Sequence, residues 1–143
     1  MAETEEEFQR REGVSVTSTI LVDRIHQIAL LAEDLETSVE FYRDRLGLQF
    51  IAKFDPPGLA FFDLDGVRLM LEKNAPKGTV YLRVKDIHAA YKELTAKGVE
   101  FIDEPHLIHR DAEGLFGPAG EEEWMAFFYD PSGNLLALAS RRS

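Results

Sequence analysis

The chain is written twice. An amphipathic stretch opening at Asp34-Leu35 carries apolar residues at Leu35, Val39, Tyr42 and Leu46, and a second opening at Asp86-Ile87 carries them at Ile87, Ala90, Tyr91 and Leu94. Both have helical spacing, both begin with an aspartate placed to cap a helix N-terminus, and both stop at a glycine, Gly47 or Gly98. A β-rich run precedes each helix, at residues 27–32 and 79–84, and another follows each glycine, at 48–50 and 99–101. Further along, the run 59–66 aligns with 125–133, the second copy having a longer turn, and a last strand follows each, at 67–71 and 134–138. Asp65-Gly66 reads as a hairpin turn rather than as half of a carboxylate pair. Each unit of about 50 residues is therefore strand, helix and three strands, which makes the fold class α+β with two tandem βαβββ modules.

The boundaries follow from the repeat. Residues 1–19 read as an acidic flexible tail, 20–75 as the first module and 76–143 as the second. The copies differ in one main place. The link between the strand at 99–103 and the strand at 123–129 runs over 106–122 and holds Gly114, Gly117, Pro118 and Gly120, whereas the first copy needs only residues 55–58. A connection of that length without structure of its own is expected to be a surface loop or a lid.

Charge and composition exclude several function classes. The formal net charge is −10, and a polyanionic surface repels phosphate backbones, so neither nucleic acid nor an anionic membrane is an expected partner. No apolar run approaches the roughly 18 residues of a membrane-spanning helix. The acidic start is unlike a secretory signal, and a cytoplasmic location is expected. There is no cysteine, which removes disulfides, thiolate catalysis and zinc–thiolate sites.

Two motifs carry a family resemblance. Asp34 to Leu48 reads Asp-Leu-Glu-Thr-Ser-Val-Glu-Phe-Tyr-Arg-Asp-Arg-Leu-Gly-Leu, and Asp130-Pro131-Ser132-Gly133-Asn134 precedes the last strand. Within a βαβββ repeat these resemble the vicinal oxygen chelate superfamily, the glyoxalase, bleomycin-resistance and extradiol dioxygenase fold, over about residues 25–140. The resemblance implies mixed sheets that curl into cups with the helices outside, a small-molecule ligand, and a homodimer. It also implies four metal-ligand positions, on the strand before each helix and on the last strand of each module. Counted from the aspartate and glycine landmarks, these fall on Gln27, Thr79, Met70 and Ala137. Alanine has no donor atom, a thioether is too soft for hard divalent ions, and threonine is a poor neutral ligand. The usual divalent metal is therefore not expected, and no other cofactor is. A substitute set of Gln27, Glu72 and His106 is the alternative; His106 and His109, three apart in an extended strand, would face opposite ways, and His26 should face away from Gln27.

The expected ligand-binding residues are Gln27, Met70, Thr79, Tyr81, Trp124, Phe128 and Ala137, with Arg83 on the face of Thr79 and Tyr81. Trp124 and Phe128 share a face and either wall the cup or fill the core. Glu121-Glu122-Glu123 reads as a solvated edge, the alternative being a site for a cationic ligand. Two functions follow from these residues: a metal-independent small-molecule binder, or a lyase/isomerase- or dioxygenase-type enzyme that uses a degenerate metal site or takes acid–base chemistry from Glu72, Tyr81 or His109.

Overall fold

The computed structural model describes residues 3, 4, 6, 7 and 21–143. Apart from those first four positions, the tail expected over 1–19 lies outside the described residues. The remainder builds the repeat. Strand β1 (Gln27–Leu31) leads into helix α1 (Leu35–Glu40), which widens into a π-helical turn over Phe41–Arg45; β2 (Gln49–Phe54), β3 (Leu59–Leu64) and β4 (Val67–Glu72) complete the first copy. Then β5 (Thr79–Arg83), α2 (Ile87–Ala96), β6 (His106–Asp111), β7 (Glu121–Tyr129) and β8 (Leu135–Arg142) form the second.

The local signals act as their chemistry requires. The Asp34 carboxylate accepts from Thr37 N at 3.1 Å, and Asp86 Oδ1 accepts from His88 N and Ala89 N, both at 3.1 Å, so each helix begins with orphan amides satisfied. Asp65 and Gly66, at φ 50° and 93°, make the two-residue turn between β3 and β4.

Each copy is a four-stranded mixed sheet, ordered β1-β4-β3-β2 and β5-β8-β7-β6, with the first and last strands of the copy parallel and the other pairs antiparallel. Alternation sends one face of each sheet toward its helix. Leu30, Phe62, Leu69 and Leu71 of the first copy and Phe128, Leu136 and Leu138 of the second are buried with Val39, Tyr42, Ile87 and Leu94 in a single core.

What joins the copies is the Asp130–Asn134 turn. Asp130 Oδ1 accepts from Ser132 N and Asn134 N, both at 2.9 Å, while Oδ2 accepts from Tyr42 Oη at 2.6 Å and from Asn134 Nδ2 at 2.7 Å. Asn134 Nδ2 also donates to Leu31 O, its Oδ1 accepts from Gly78 N, and Ser132 Oγ accepts from Glu33 N. A turn of the second copy thereby fixes the strand end, the helix and the linker of the first.

The second copy departs from the expected layout. The strand expected at 99–103 is reduced to one bridge, Phe101 to Phe128, with Ile102 N donating to Phe127 O at 2.8 Å. The chain leaves the sheet and rejoins it as β6, so the loop expected over 106–122 is a strand as far as Asp111. β7 starts at Glu121, and only the segment between them is a loop. The register of β6 slips between Leu107 and His109, as that of β2 does between Phe50 and Ala52. That bulge at Ile108 breaks the period-two pattern that would have announced a strand. The acidic triplet is not a solvated edge either. β7 is a central strand, and its glutamates meet arginines of β8: Glu121 and Glu123 lie 3.0 and 3.8 Å from Arg141, and Glu122 lies 3.9 Å from Arg142.

The loop is held by Asp111, whose carboxylate accepts from Leu115 N, Phe116 N and Arg141 Nη2 at 2.8, 2.9 and 2.9 Å. Its pKa falls from 3.8 to about 2, chiefly through the Phe116 amide, then the Leu115 amide and Arg141, against an opposing desolvation effect. A depressed carboxylate pKa contributes stability that is present above the unfolded value and is lost as pH falls through the folded one. The advantage of the wild type over Asp111→Asn in urea unfolding should therefore be constant at neutral pH and vanish between about pH 4 and pH 2. Tyr42 is shifted the other way: burial first, then the Asp130 charge and hydrogen bond, raise its pKa far above the ordinary 10.0. The contribution of the neutral phenol is full below pH 10 and declines as pH rises beyond it, because only the unfolded chain then ionises. Tyr42→Phe should cost about 2 kcal/mol at pH 7 by chemical denaturation and should remove a phenolate absorbance that otherwise appears only with unfolding.

Candidate functional site

The faces turned away from the helices are the concave faces of the two sheets. On the first, β1 presents Gln27, Ala29 and Leu31, β4 presents Arg68, Met70 and Glu72, and β3 presents Phe61, which meets Phe54 of β2 at 6.0 Å between ring centroids. Gln27 Nε2 donates to Met70 Sδ at 3.7 Å, so the two ligand positions of the first copy are turned onto each other. His26 Nε2 lies 2.9 Å from Arg68 Nη2, tying it to a side chain of the concave face instead of the opposite one.

On the second face, Tyr81 and Phe127 stand on either side of Ala137, in register with it, and their rings meet edge to face at 6.0 Å. Ala137 is wholly buried beneath them, whereas Tyr81 is 56% exposed and Thr79 is open to solvent. Trp124 and Phe128 do share a face, as expected, but it is the one covered by helix. Phe128 is 0% exposed and packs on Phe41 and Phe101; Trp124 lies between His88 and the guanidinium of Arg142. Phe127 and Met125 therefore supply the inward side chains of β7. Counting back across the β7–β8 hairpin would have found this, because directly opposed residues share a face and Phe127 opposes Ala137.

The bulge at Ile108 has a second effect. His106 pairs with Met125 and His109 with Glu123, so the two histidines share the concave face instead of facing apart. His106 lies 6.3 Å from the Phe127 ring, and His109 lies 6.3 Å from that of Phe116. Glu72 is at the far end of the β1–β4 pair from Gln27, since Gln27 pairs with Arg68 and Leu31 with Glu72, a separation of about 13 Å. Gln27 and Glu72 are therefore too far apart to share an ion, and Gln27, Glu72 and His106 do not converge. Among the described residues, no three His, Asp or Glu side chains do so either.

A divalent metal fits this donor set poorly. Ala137 offers no atom and is roofed by two rings, Met70 offers sulfur to the Gln27 amide, and Thr79 offers only a neutral hydroxyl.

A recess opens beyond Ala137, at the end of β5 and β8. It measures about 540 Å³ and is walled by Arg83, Lys85 and Arg141, by Glu121 and Glu123, and by Phe116 of the loop held by Asp111. Of these, the sequence pointed only to Arg83. Arg141 was findable, because it follows Ala137 and Ala139 on one face of β8. Phe116 was not, because its position depends on the loop's attachment to Asp111.

Comparison with known proteins agrees with this architecture. The family described as Glyoxalase/Bleomycin resistance protein/Dioxygenase superfamily matches residues 24–138. The chain is 28% identical over 136 residues to the protein YraH of Bacillus subtilis (strain 168), covering 80% of this chain and 96% of that one. Among solved structures, a lactoylglutathione lyase from Agrobacterium tumefaciens superposes with a TM-score of 0.63 at 23% identity, covering 83% of this chain and 94% of that one. A superfamily member from Sphaerobacter thermophilus DSM 20745 superposes with a TM-score of 0.65 at 24% identity, covering 85% and 99%. Two such structures at this identity speak for the fold alone, but the family match spans most of the sequence, and the chain belongs to the Glyoxalase/Bleomycin resistance protein/Dioxygenase superfamily.

Proposed function

We propose that this protein binds a small organic molecule on the concave face of its second sheet and does so without a divalent metal. The observation that carries the reading is the pair of closed ligand positions, Gln27 on Met70 and Tyr81 with Phe127 over Ala137, beside a 540 Å³ recess lined by charged and aromatic side chains. A recess of that size is in the range of ligand sites. Tyr81 does not line the recess itself, but it is half exposed and lies two residues before Arg83 on the same face of β5, which makes it the residue of the expected set nearest a ligand there. Two copies are proposed to pair across the first concave face, where Phe54 is 52% exposed.

A second reading rests on the shared face of His106 and His109: acid–base chemistry of the lyase or isomerase kind. It predicts chelator-resistant turnover of a 2-oxoaldehyde hemithioacetal that His106→Ala or His109→Ala abolishes.

Elemental analysis of protein purified without added metal is expected to find only substoichiometric divalent ions. Dialysis against a chelator should leave both the melting temperature and any small-molecule adduct seen by native mass spectrometry unchanged. One ordered metal per chain, with Gln27 required to retain it, would overturn the reading.

A further inference from the structure

We infer that the ligand of the recess is an organic anion with a flat apolar body, its charge held by Arg83 and Lys85. This rests on the reading of the second concave face as a small-molecule site and names the chemistry of its ligand.

The donor inventory of the recess leads to it. Among the described residues, the side chains of Arg83 and Lys85 have no hydrogen-bond or ion-pair partner, although both line the recess. Arg141 is the opposite case at the same wall. Its Nη2 and Nε are taken by Asp111 and Glu121 at 2.9 and 3.0 Å, and its Nη1 is buried without a hydrogen bond, the nearest carboxylate being Glu123 at 3.8 Å. Arg83 and Lys85 thus offer unused N–H donors into one space, where an acceptor-rich ligand would find charge-assisted hydrogen bonds.

The acidic side chains of the recess do not compete equally. Glu121 and Glu123 are both drawn to Arg141, and Asp111, also drawn to it, has each oxygen occupied by a loop amide. Arg83 and Lys85, in contrast, follow each other on the end of β5, where the chain turns toward α2 and no carboxylate is paired with them. The apolar part of the ligand follows from Phe116. Its ring is 72% exposed yet walls the recess, and its backbone amide is fixed to Asp111 at 2.9 Å. An aromatic ring presented on a fixed loop suits a flat partner, at little conformational cost.

The test uses three probes of one shape in the full-length protein: 2-naphthoate, 2-naphthamide and 2-naphthylmethylammonium, titrated by calorimetry with amide chemical shifts recorded in parallel. The expected result is that naphthoate binds most tightly, shifts the amides of Val84, Lys85 and Phe116, and weakens with added salt. The double variant Arg83→Gln/Lys85→Gln should weaken naphthoate at least about tenfold and leave the amide probe unchanged. If the ammonium or the amide binds these residues as tightly as naphthoate, or if the double variant binds naphthoate as the wild type does, the anion inference falls and the small-molecule site stands. If none of the three probes shifts Val84, Lys85 or Phe116, the site and the inference fall together.

Discussion

Asp130 is a carboxylate almost removed from water, and four donors meet it: two backbone amides of its own turn, the Asn134 side chain and the Tyr42 hydroxyl. A buried charge is tolerable only when its lone pairs are occupied, and here they are occupied by groups from both copies of the repeat. Asn134, held by Asp130, reaches Leu31 at the end of β1 and Gly78 just before β5. Neither copy could bury this carboxylate alone, so the turn sets how the two are joined. β8 begins at Leu135, directly after Asn134, so the position of every inward side chain on that strand, from Ala137 to Arg141, is referred to this one network.

Much of this was legible because the chain repeats. Two capped helices and two terminating glycines fixed the phase of each copy, and the phase located Gln27, Met70, Thr79 and Ala137 on the faces where they lie. The turn at Asp65-Gly66 was equally plain, since its residues are those a positive φ favours. What escaped were features that depend on pairing. A bulge at Ile108 hid β6 and reversed the expected relation of His106 to His109, because a single extra residue shifts every later side chain to the other face. Trp124 and Phe128 were correctly put on one face, but alternation within a strand does not say which face meets a helix. That answer lies across the hairpin, in the pairing of Phe127 with Ala137. Phe116 depends on its attachment to Asp111 and left no local pattern, whereas Lys85 follows Thr79, Tyr81 and Arg83 by simple alternation.

Charge is arranged against the average. The chain carries a formal net charge of −10, yet the free side-chain donors of this recess are cationic. Salt screens the general field over roughly 8–10 Å, so the sum over the surface matters less inside a recess than the few groups that line it. Arg141 makes this arrangement possible. By drawing Asp111, Glu121 and Glu123 to itself, it concentrates negative charge at one wall and leaves Arg83 and Lys85 without partners among the described residues.

The closed ligand positions and the open recess follow from the same strand. Along the inward face of β8, Leu135, Ala137, Ala139 and Arg141 succeed one another, so two small residues precede an arginine. At Ala137 the absence of a side chain with any reach lets Tyr81 and Phe127 meet over the strand and exclude solvent from it. One step further, Ala139 is again small, but its partners are Arg83 and Met125, and no pair of aromatic rings meets over it. The face consequently opens there, and Arg141, anchored to Asp111, holds the loop that forms its far wall. A donor atom placed at 137 would have to displace two aromatic rings to be reached, whereas Arg83 already lines open space. The charged side chains of this face therefore stand at the end of β8 and not at its middle.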